Sequence, residues 1–354
     1  MSMPRFWPSN NSLNEGRHDL ADNSRNQIEK HRKLRGRTCL AANSGKIRLP
    51  KTRRVPEAFA GRELTERSLK IIETIGRYRF LSSSKIIRLV GGNEDVTHRH
   101  LQQLFHRGFI SRLKIPSAPA NAEFVYFLED AALLRDLAHD NRINPEHLDF
   151  EEIRLNREKY GGERATSGRP RTGQMLFIEH ELMISDFHAT VESEIALSEV
   201  RVSLDVWQQS NKIWSTVPAT RDSAALPHRP DAYFVLKFPN APYGQQRSNF
   251  FYEADRNTTS RTRFKMKLLA YIQFFLQGLY AEKYGARKVR AVLTETTSSA
   301  RMEQLQETAS EVAEKIPLAA ALFWFATSGL IREKGIFCAL WSCNADASPR
   351  SLLD

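Results

Sequence analysis

Three carboxylates define the chemistry open to this sequence. Asp231 follows Pro230 at the head of an apolar run, Asp231-Ala232-Tyr233-Phe234-Val235-Leu236. Glu253 and Asp255 close a second run, Asn249-Phe250-Phe251-Tyr252-Glu253-Ala254-Asp255. Side chains alternate across a strand, so Glu253 and Asp255 project from one face, and a neighbouring strand opening at Asp231 would bring a third acid beside them. Carboxylates so placed repel one another unless a proton or a cation joins them. Hard oxygen donors of this kind suit Mg²⁺ or Mn²⁺, which would polarise a phosphodiester and generate hydroxide. The competing explanation is plain ion pairing, with Arg256, Arg261 and Arg263 at hand in the sequence.

The elements that must position these acids follow from the apolar pattern. A helix is predicted from about Phe177 to Leu197, with Phe177, Ile184, Phe187, Val191 and Ile195 as its apolar stripe. Strands are predicted at Val200 to Trp207, at Asp231 and at Glu253. A helix from Arg261 to Tyr280, a strand from Lys288 to Leu293, a helix at 298–315 and a strand from Ala321 to Ala326 complete the order. Several strands are apolar on both faces, which fits a sheet covered on both sides. The fold class is α/β (α+β), and this part of the chain, 174–327, reads as an α/β sandwich with a mixed sheet.

Upstream, a helix is expected over 64–78 with Gly76 at its exit, then a short helix from Lys85 to Val90 capped by Ser82-Ser83-Ser84. A third runs from Asp95 to Arg107 and stops at Gly108. Two strand-like pieces follow, Phe109 to Leu113 and Phe124 to Leu128. This order resembles a winged helix-turn-helix, at 61–140. On the third helix Leu101, Leu104 and Phe105 can face a core, leaving Arg99, Gln102, Gln103 and His106 on the opposite arc. Arg reads guanine and Gln reads adenine in the major groove. Arg112 and Lys114 of the wing could meet phosphates or the minor groove. Residues 141–173, polar and rich in Gly and Arg, read as a linker with room for one short helix, and 328–354 as a C-terminal tail of no evident role.

The net charge of +11 is concentrated in the first 60 residues, which hold 13 Lys and Arg against 5 Asp and Glu. This segment lacks apolar periodicity and reads as a disordered basic arm that binds polyanions by counterion release. Cys39, Cys338 and Cys343 make neither a disulfide framework nor a zinc site. His180 and His188, eight apart, do not fit a metalloprotease helix. There is no secretory leader and no apolar stretch long enough to span a bilayer, so a soluble cytoplasmic protein without a membrane partner is expected. The glycine pairs lack the context of a phosphate loop, and no nucleophile-elbow pattern is present, which sets aside ATPase, kinase and esterase chemistry.

Pro230-Asp231 with Glu253-Ala254-Asp255 resembles the PD-(D/E)xK nuclease superfamily. With the winged helix, His180-Glu181-Leu182, and Lys267 ahead of Tyr271, the chain over 64–326 resembles the replication-relaxation family of plasmids and mobile elements. That resemblance implies a role with DNA, alongside plasmid replication or transfer proteins. It also implies a site built from Asp231, Glu253, Asp255 and a lysine, with Mg²⁺ or Mn²⁺ on the three acids or no cofactor at all. The sequence departs from the superfamily at Asp255, where the catalytic lysine would stand. Asp cannot stabilise charge on a scissile phosphate as a lysine would. Lys267 from the following helix is the candidate replacement, with Lys265 and Arg256 as others and Glu181 as a possible fourth acid. Two functions compete: a DNA-binding accessory or regulatory protein with a degenerate nuclease-like domain, or a metal-dependent endonuclease.

Overall fold

A computed structural model describes residues 49–50, 53–114, 123–161, 172–221, 224–286 and 288–353. The N-terminal part begins with α1 (Glu66–Tyr78), capped by Thr65 and burying Ile71, Ile72 and Ile75 along one stripe. Ser82, in the short strand β1 (Leu81–Ser82), caps α2 (Ser83–Val90). Asn93 caps α3 (Glu94–His106), and Gly108, at φ +84°, turns the chain into β2 (Ile110–Lys114). β3 (Phe124–Leu128) runs antiparallel to both neighbours in the order β1-β3-β2, with Ile110 opposite Leu128 and Leu81 opposite Tyr126. The three helices close on this small sheet through Ile75, Ile86, Leu101 and Leu104.

The linker expected at 141–173 is corrected as far as Gly161. After α4 (Ala131–His139), the chain folds into α5 (Phe150–Tyr160), and Ile143, Leu148 and Ile153 join the core that α1 lines. Those apolar residues are spaced too far apart to look periodic, but burial needs only that each reach the same cavity. Gly76 lies inside α1 rather than at its exit. A Cβ there would stand 2.6 Å from the Leu148 side chain, so the glycine marks a close approach. Residues 162–171 lie outside the described residues, as does most of the basic arm. The arm's end is ordered: Arg54 Nε donates to the Phe105 carbonyl at 2.9 Å and Arg54 also pairs with Glu129, while Pro56–Phe59 forms a 3-10 turn against α3.

The C-terminal part is built on a seven-stranded mixed sheet. In chain order its strands are β4 (Ser203–Gln209), β7 (Ala232–Lys237), β8 (Arg247–Asp255), β9 (Ala291–Thr296), β10 (Phe323–Thr327), β11 (Trp341–Cys343) and β12 (Asp346–Arg350). A small hairpin, β5 (Ser215–Val217) with β6 (Leu226–His228), lies between β4 and β7. The spatial order is β12-β11-β10-β9-β8-β7-β4, with β8, β9 and β10 parallel and the outer pairs antiparallel. The parallel core needs crossovers. They are α7 (Arg261–Leu276) with α8 (Leu279–Tyr284), and α9 (Ser299–Ala313) with α10 (Leu318–Leu322).

One face of this sheet, with Phe234, Phe250, Tyr252 and Trp341, is covered by α6 (Thr172–Leu197) through Ile184, Phe187 and Val191. The other, with Val235, Phe251 and Phe325, is covered by α7 and α9 through Leu268, Tyr271 and Leu305. This is the mixed α/β arrangement that the sequence predicts. The tail expected from 328 is corrected: α11 (Ser328–Lys334), β11 and β12 complete the sheet and bury Ile331, Ile336 and Trp341. The two parts meet along α6, where Ser185 Oγ donates to the Tyr78 carbonyl at 2.6 Å and Arg79 bridges Glu152 and Glu181. Among the described residues no helix is long and apolar enough to cross a membrane.

Candidate functional site

The acids gather at the C-terminal end of β8. Register pairs Ala232 with Tyr252, which sets Asp231 at the mouth of β7 beside Glu253 and Ala254. Asp231 Oδ2 accepts the Ala254 amide at 2.9 Å, and Oδ1 lies 3.1 Å from His180 Nε2 of α6. Glu253 projects from the face that α7 covers. Its Oε1 accepts the Tyr271 hydroxyl at 2.5 Å and its Oε2 accepts the Lys267 ammonium. Lys267 and Tyr271 are one helical turn apart, so α7 presents both to a single carboxylate. The Lys267 and His180 side chains are 34 % and 30 % exposed, which places the opening of the site between them.

Asp255, two residues on, is held elsewhere. Its Oδ1 accepts Arg301 Nε at 2.8 Å and the Asn257 amide at 2.9 Å, and its Oδ2 accepts Arg301 Nη2 at 3.0 Å. Arg301 lies in the first turn of α9 and also donates to the Thr259 carbonyl at 2.6 Å. This is a bidentate pair, and both side chains are buried.

Burial pushes the Glu253 carboxyl up to about 8, with Asp231 adding to the rise and Lys267 opposing it. The Asp231 carboxyl stays well below the usual range: burial acts to raise it, but Lys267 and His180 outweigh that. The His180 imidazolium is favoured because Asp231 outweighs burial, and the Lys267 ammonium because Glu253 and Asp231 do. The Tyr271 hydroxyl, buried against Glu253, is held far from ionisation.

All six oxygens of the three acids therefore already accept from a protein donor. A divalent cation needs acceptors that point into a shared space. The expected trio of metal ligands does not fit that requirement, because Asp255 is turned to Arg301. Among the described residues, no group of three or more His, Cys, Asp or Glu side chains could hold a metal ion.

The other candidates divide in the same way. Lys267 joins the acids, but Lys265 lies 3.5 Å from Glu311, Arg256 pairs with Glu179, and Glu181 pairs with Arg79 at 2.8 Å. On α3, Arg99 is exposed, and Gln102 and Gln103 are half-buried on its outer side. Lys114 is exposed, 5.7 Å from the centre of the Phe124 ring.

Two expectations on this face are corrected. His106 is fully buried: its Nδ1 accepts the Val55 amide at 3.0 Å and its ring stacks on Phe59, because the end of the arm crosses over it. Arg112 is also buried, its guanidinium over the rings of Phe105 and Phe124 at 4.0 and 4.7 Å. Sequence reasoning missed His180 and Arg301 as partners of the acids. A signal existed for Arg301, the cation that opens a helix otherwise carrying Glu303, Glu307 and Glu311.

Compared with known proteins, residues 72–289 match the family model described as replication-relaxation. No curated protein and no solved structure matches the chain.

Proposed function

The chain belongs to the replication-relaxation family, and on that premise we propose that it is a DNA-binding accessory or regulatory protein of plasmid or mobile-element replication and relaxation. Its nuclease-like domain holds nucleic acid without cutting it. The observation that carries this reading is the bidentate Asp255–Arg301 pair. It takes one acid out of any shared metal site and leaves Asp231 and Glu253 matched by His180 and Lys267.

Three helices against a three-stranded antiparallel sheet support a winged helix-turn-helix in the N-terminal part. The recognition helix is α3, with Arg99, Gln102 and Gln103 towards the bases and Lys114 towards the phosphates. The partners are DNA and the replication or transfer proteins assembled on it. The test is retention of duplexes from the element's own origin and promoter, together with incubation of supercoiled plasmid in Mg²⁺ or Mn²⁺. Retention with the plasmid left intact is the expected result.

One observation favours a second reading, a Mg²⁺- or Mn²⁺-dependent endonuclease of the PD-(D/E)xK type. Lys267 reaches Glu253 next to Asp231, so an acid pair and a lysine do come together, the lysine supplied by α7. Nicking that disappears in Asp231→Ala, Glu253→Ala and Lys267→Ala alike would establish that enzyme and overturn the binding-only function.

A further inference from the structure

The opposite end of the same sheet carries a second feature. A cavity of about 860 Å³ opens where β8 and β9 begin, walled by the β7–β8 turn and the segment after α8. Arg201, Arg247, Lys288 and Arg290 line it, and none of the described residues lining it is acidic. Arg247 is matched by Asp205 at 2.7 Å, outside the lining. No carboxylate of a described residue lies in salt-bridge range of Arg201, Lys288 or Arg290. Unneutralised cations in a concave site focus a positive potential that an anionic ligand would satisfy.

The wall is built rather than incidental. Buried Asn249 accepts the Tyr233 hydroxyl at 2.9 Å and donates to the Lys288 carbonyl at 2.9 Å, and its own carbonyl accepts the Arg290 amide at 2.8 Å. These bonds fix the backbone that carries two of the cations. At the tip of the β7–β8 turn Tyr243 is 90 % exposed, beside Gly244 at φ +88°. A tyrosine so exposed contributes nothing to the core, and its ring is free on both faces.

We propose that this cavity binds the phosphate backbone of single-stranded nucleic acid, with Tyr243 as the platform on which an unstacked base rests. Aromatic stacking beside a basic groove is how sequence-tolerant single-strand sites work. The volume is that of a small-ligand pocket, which admits one or two nucleotides but not a duplex. The site is separate from the acids: eight residue steps along β8 from Arg247 to Asp255 put the two ends roughly 26 Å apart. The inference rests on the nucleic-acid reading of the chain, and its test separates the two.

The full chain is titrated into a fluorescein-labelled oligodeoxythymidylate of about 12 nucleotides, within the usual site sizes, and into a labelled duplex. Tyr243→Ala is expected to weaken single-strand binding by about 5- to 150-fold. Arg201→Gln with Lys288→Gln should make the slope of log K against log salt shallower by about 1.4, because two phosphates are no longer neutralised. Both variants should bind duplex as the wild type does, whereas Arg99→Ala should show the reverse pattern. Unchanged single-strand affinity in both cavity variants would overturn the proposal and leave duplex binding standing. Competition by thymidine monophosphate or inorganic phosphate at the oligonucleotide's own concentration would also overturn it, by making the cavity a pocket for free phosphates. A wild type that retains neither nucleic acid would take down both readings.

Discussion

Arg301→Met isolates the pair on which the functional reading turns. Asp255 and Arg301 are 5 % and 8 % exposed, so removing the guanidinium leaves a carboxylate that water barely reaches. Breaking a buried pair from one side costs about 3–5 kcal/mol. Here the lower end applies, because the Asn257 amide still donates to Asp255. For a chain of 354 residues about 3 kcal/mol corresponds to a fall in Tm of roughly 4 °C. The double variant Asp255→Leu/Arg301→Met should recover most of that loss, since an apolar replacement of a buried pair is often close to neutral. Urea denaturation of wild type, both single variants and the double variant, each with and without Mg²⁺, completes the cycle. A coupling energy near zero would refute the reasoning. So would Mg²⁺ stabilising the wild type but not Asp255→Leu, because Asp255 would then be a metal ligand.

The Glu253 carboxyl sits at about 8 when folded, above its ordinary value. Its contribution to stability is therefore complete below about pH 4.3 and lost as pH rises through 8. Unfolding free energy measured from pH 4.5 to 8.5 should fall less steeply in Glu253→Gln than in wild type, and equal slopes would exclude this protonation. Arg99→Ala should weaken binding to the cognate duplex by about 1–3 kcal/mol if the side chain reads a base, measured by retention at fixed salt. His106→Ala should instead lower Tm and leave the affinity of the folded fraction unchanged, because the ring is buried against Phe59; reduced affinity with unchanged Tm would return His106 to the binding face. Removing residues 1–48 should flatten the salt dependence of DNA binding, and an identical slope would exclude that segment as a phosphate contact.

Much of the sheet was legible because its strands are apolar on both faces. The runs ending at Asp255 and starting at Asp231 became adjacent strands, with the acids at one end. Lys267 and Tyr271 were legible as one face of a helix following that strand, since a four-residue spacing is a property of the sequence itself. What the sequence did not disclose were partners decided by tertiary placement. Asp255 had nearby arginines at 256, 261 and 263, yet its partner is Arg301, brought in by a crossover helix 46 residues away. His106 lay on the polar arc of α3 by angle alone, but helical angle does not report that residues 54–59 lie across that end of the helix. The supposed linker and tail were misjudged for a related reason. Ile143, Leu148, Ile153, Ile336 and Trp341 are sparse, but each fills a gap in a core formed by other elements.

The two ends of the sheet argue for one electrostatic logic. Three uncompensated carboxylates at the end of β8 would repel a phosphate backbone, and a metal is one remedy. The chain supplies another: Lys267, His180 and Arg301 each sit on one acid, so that end no longer opposes a polyanion. At the far end the balance is reversed, because Arg201, Lys288 and Arg290 face a cavity without acidic lining among the described residues. Since exposed charges are screened within about 8 Å at physiological salt, the two ends, roughly 26 Å apart, act on a bound strand independently. Neutralising Lys267 by Lys267→Met should then re-expose the Asp231 charge to the ligand, while Glu253, which loses the group that favours its ionisation, stays protonated. It should weaken nucleic-acid binding more at low salt than at high salt, although no cation in the basic cavity has changed. An affinity loss independent of salt would mean that Lys267 matters for packing and not for the field, and the compensation argument would fail.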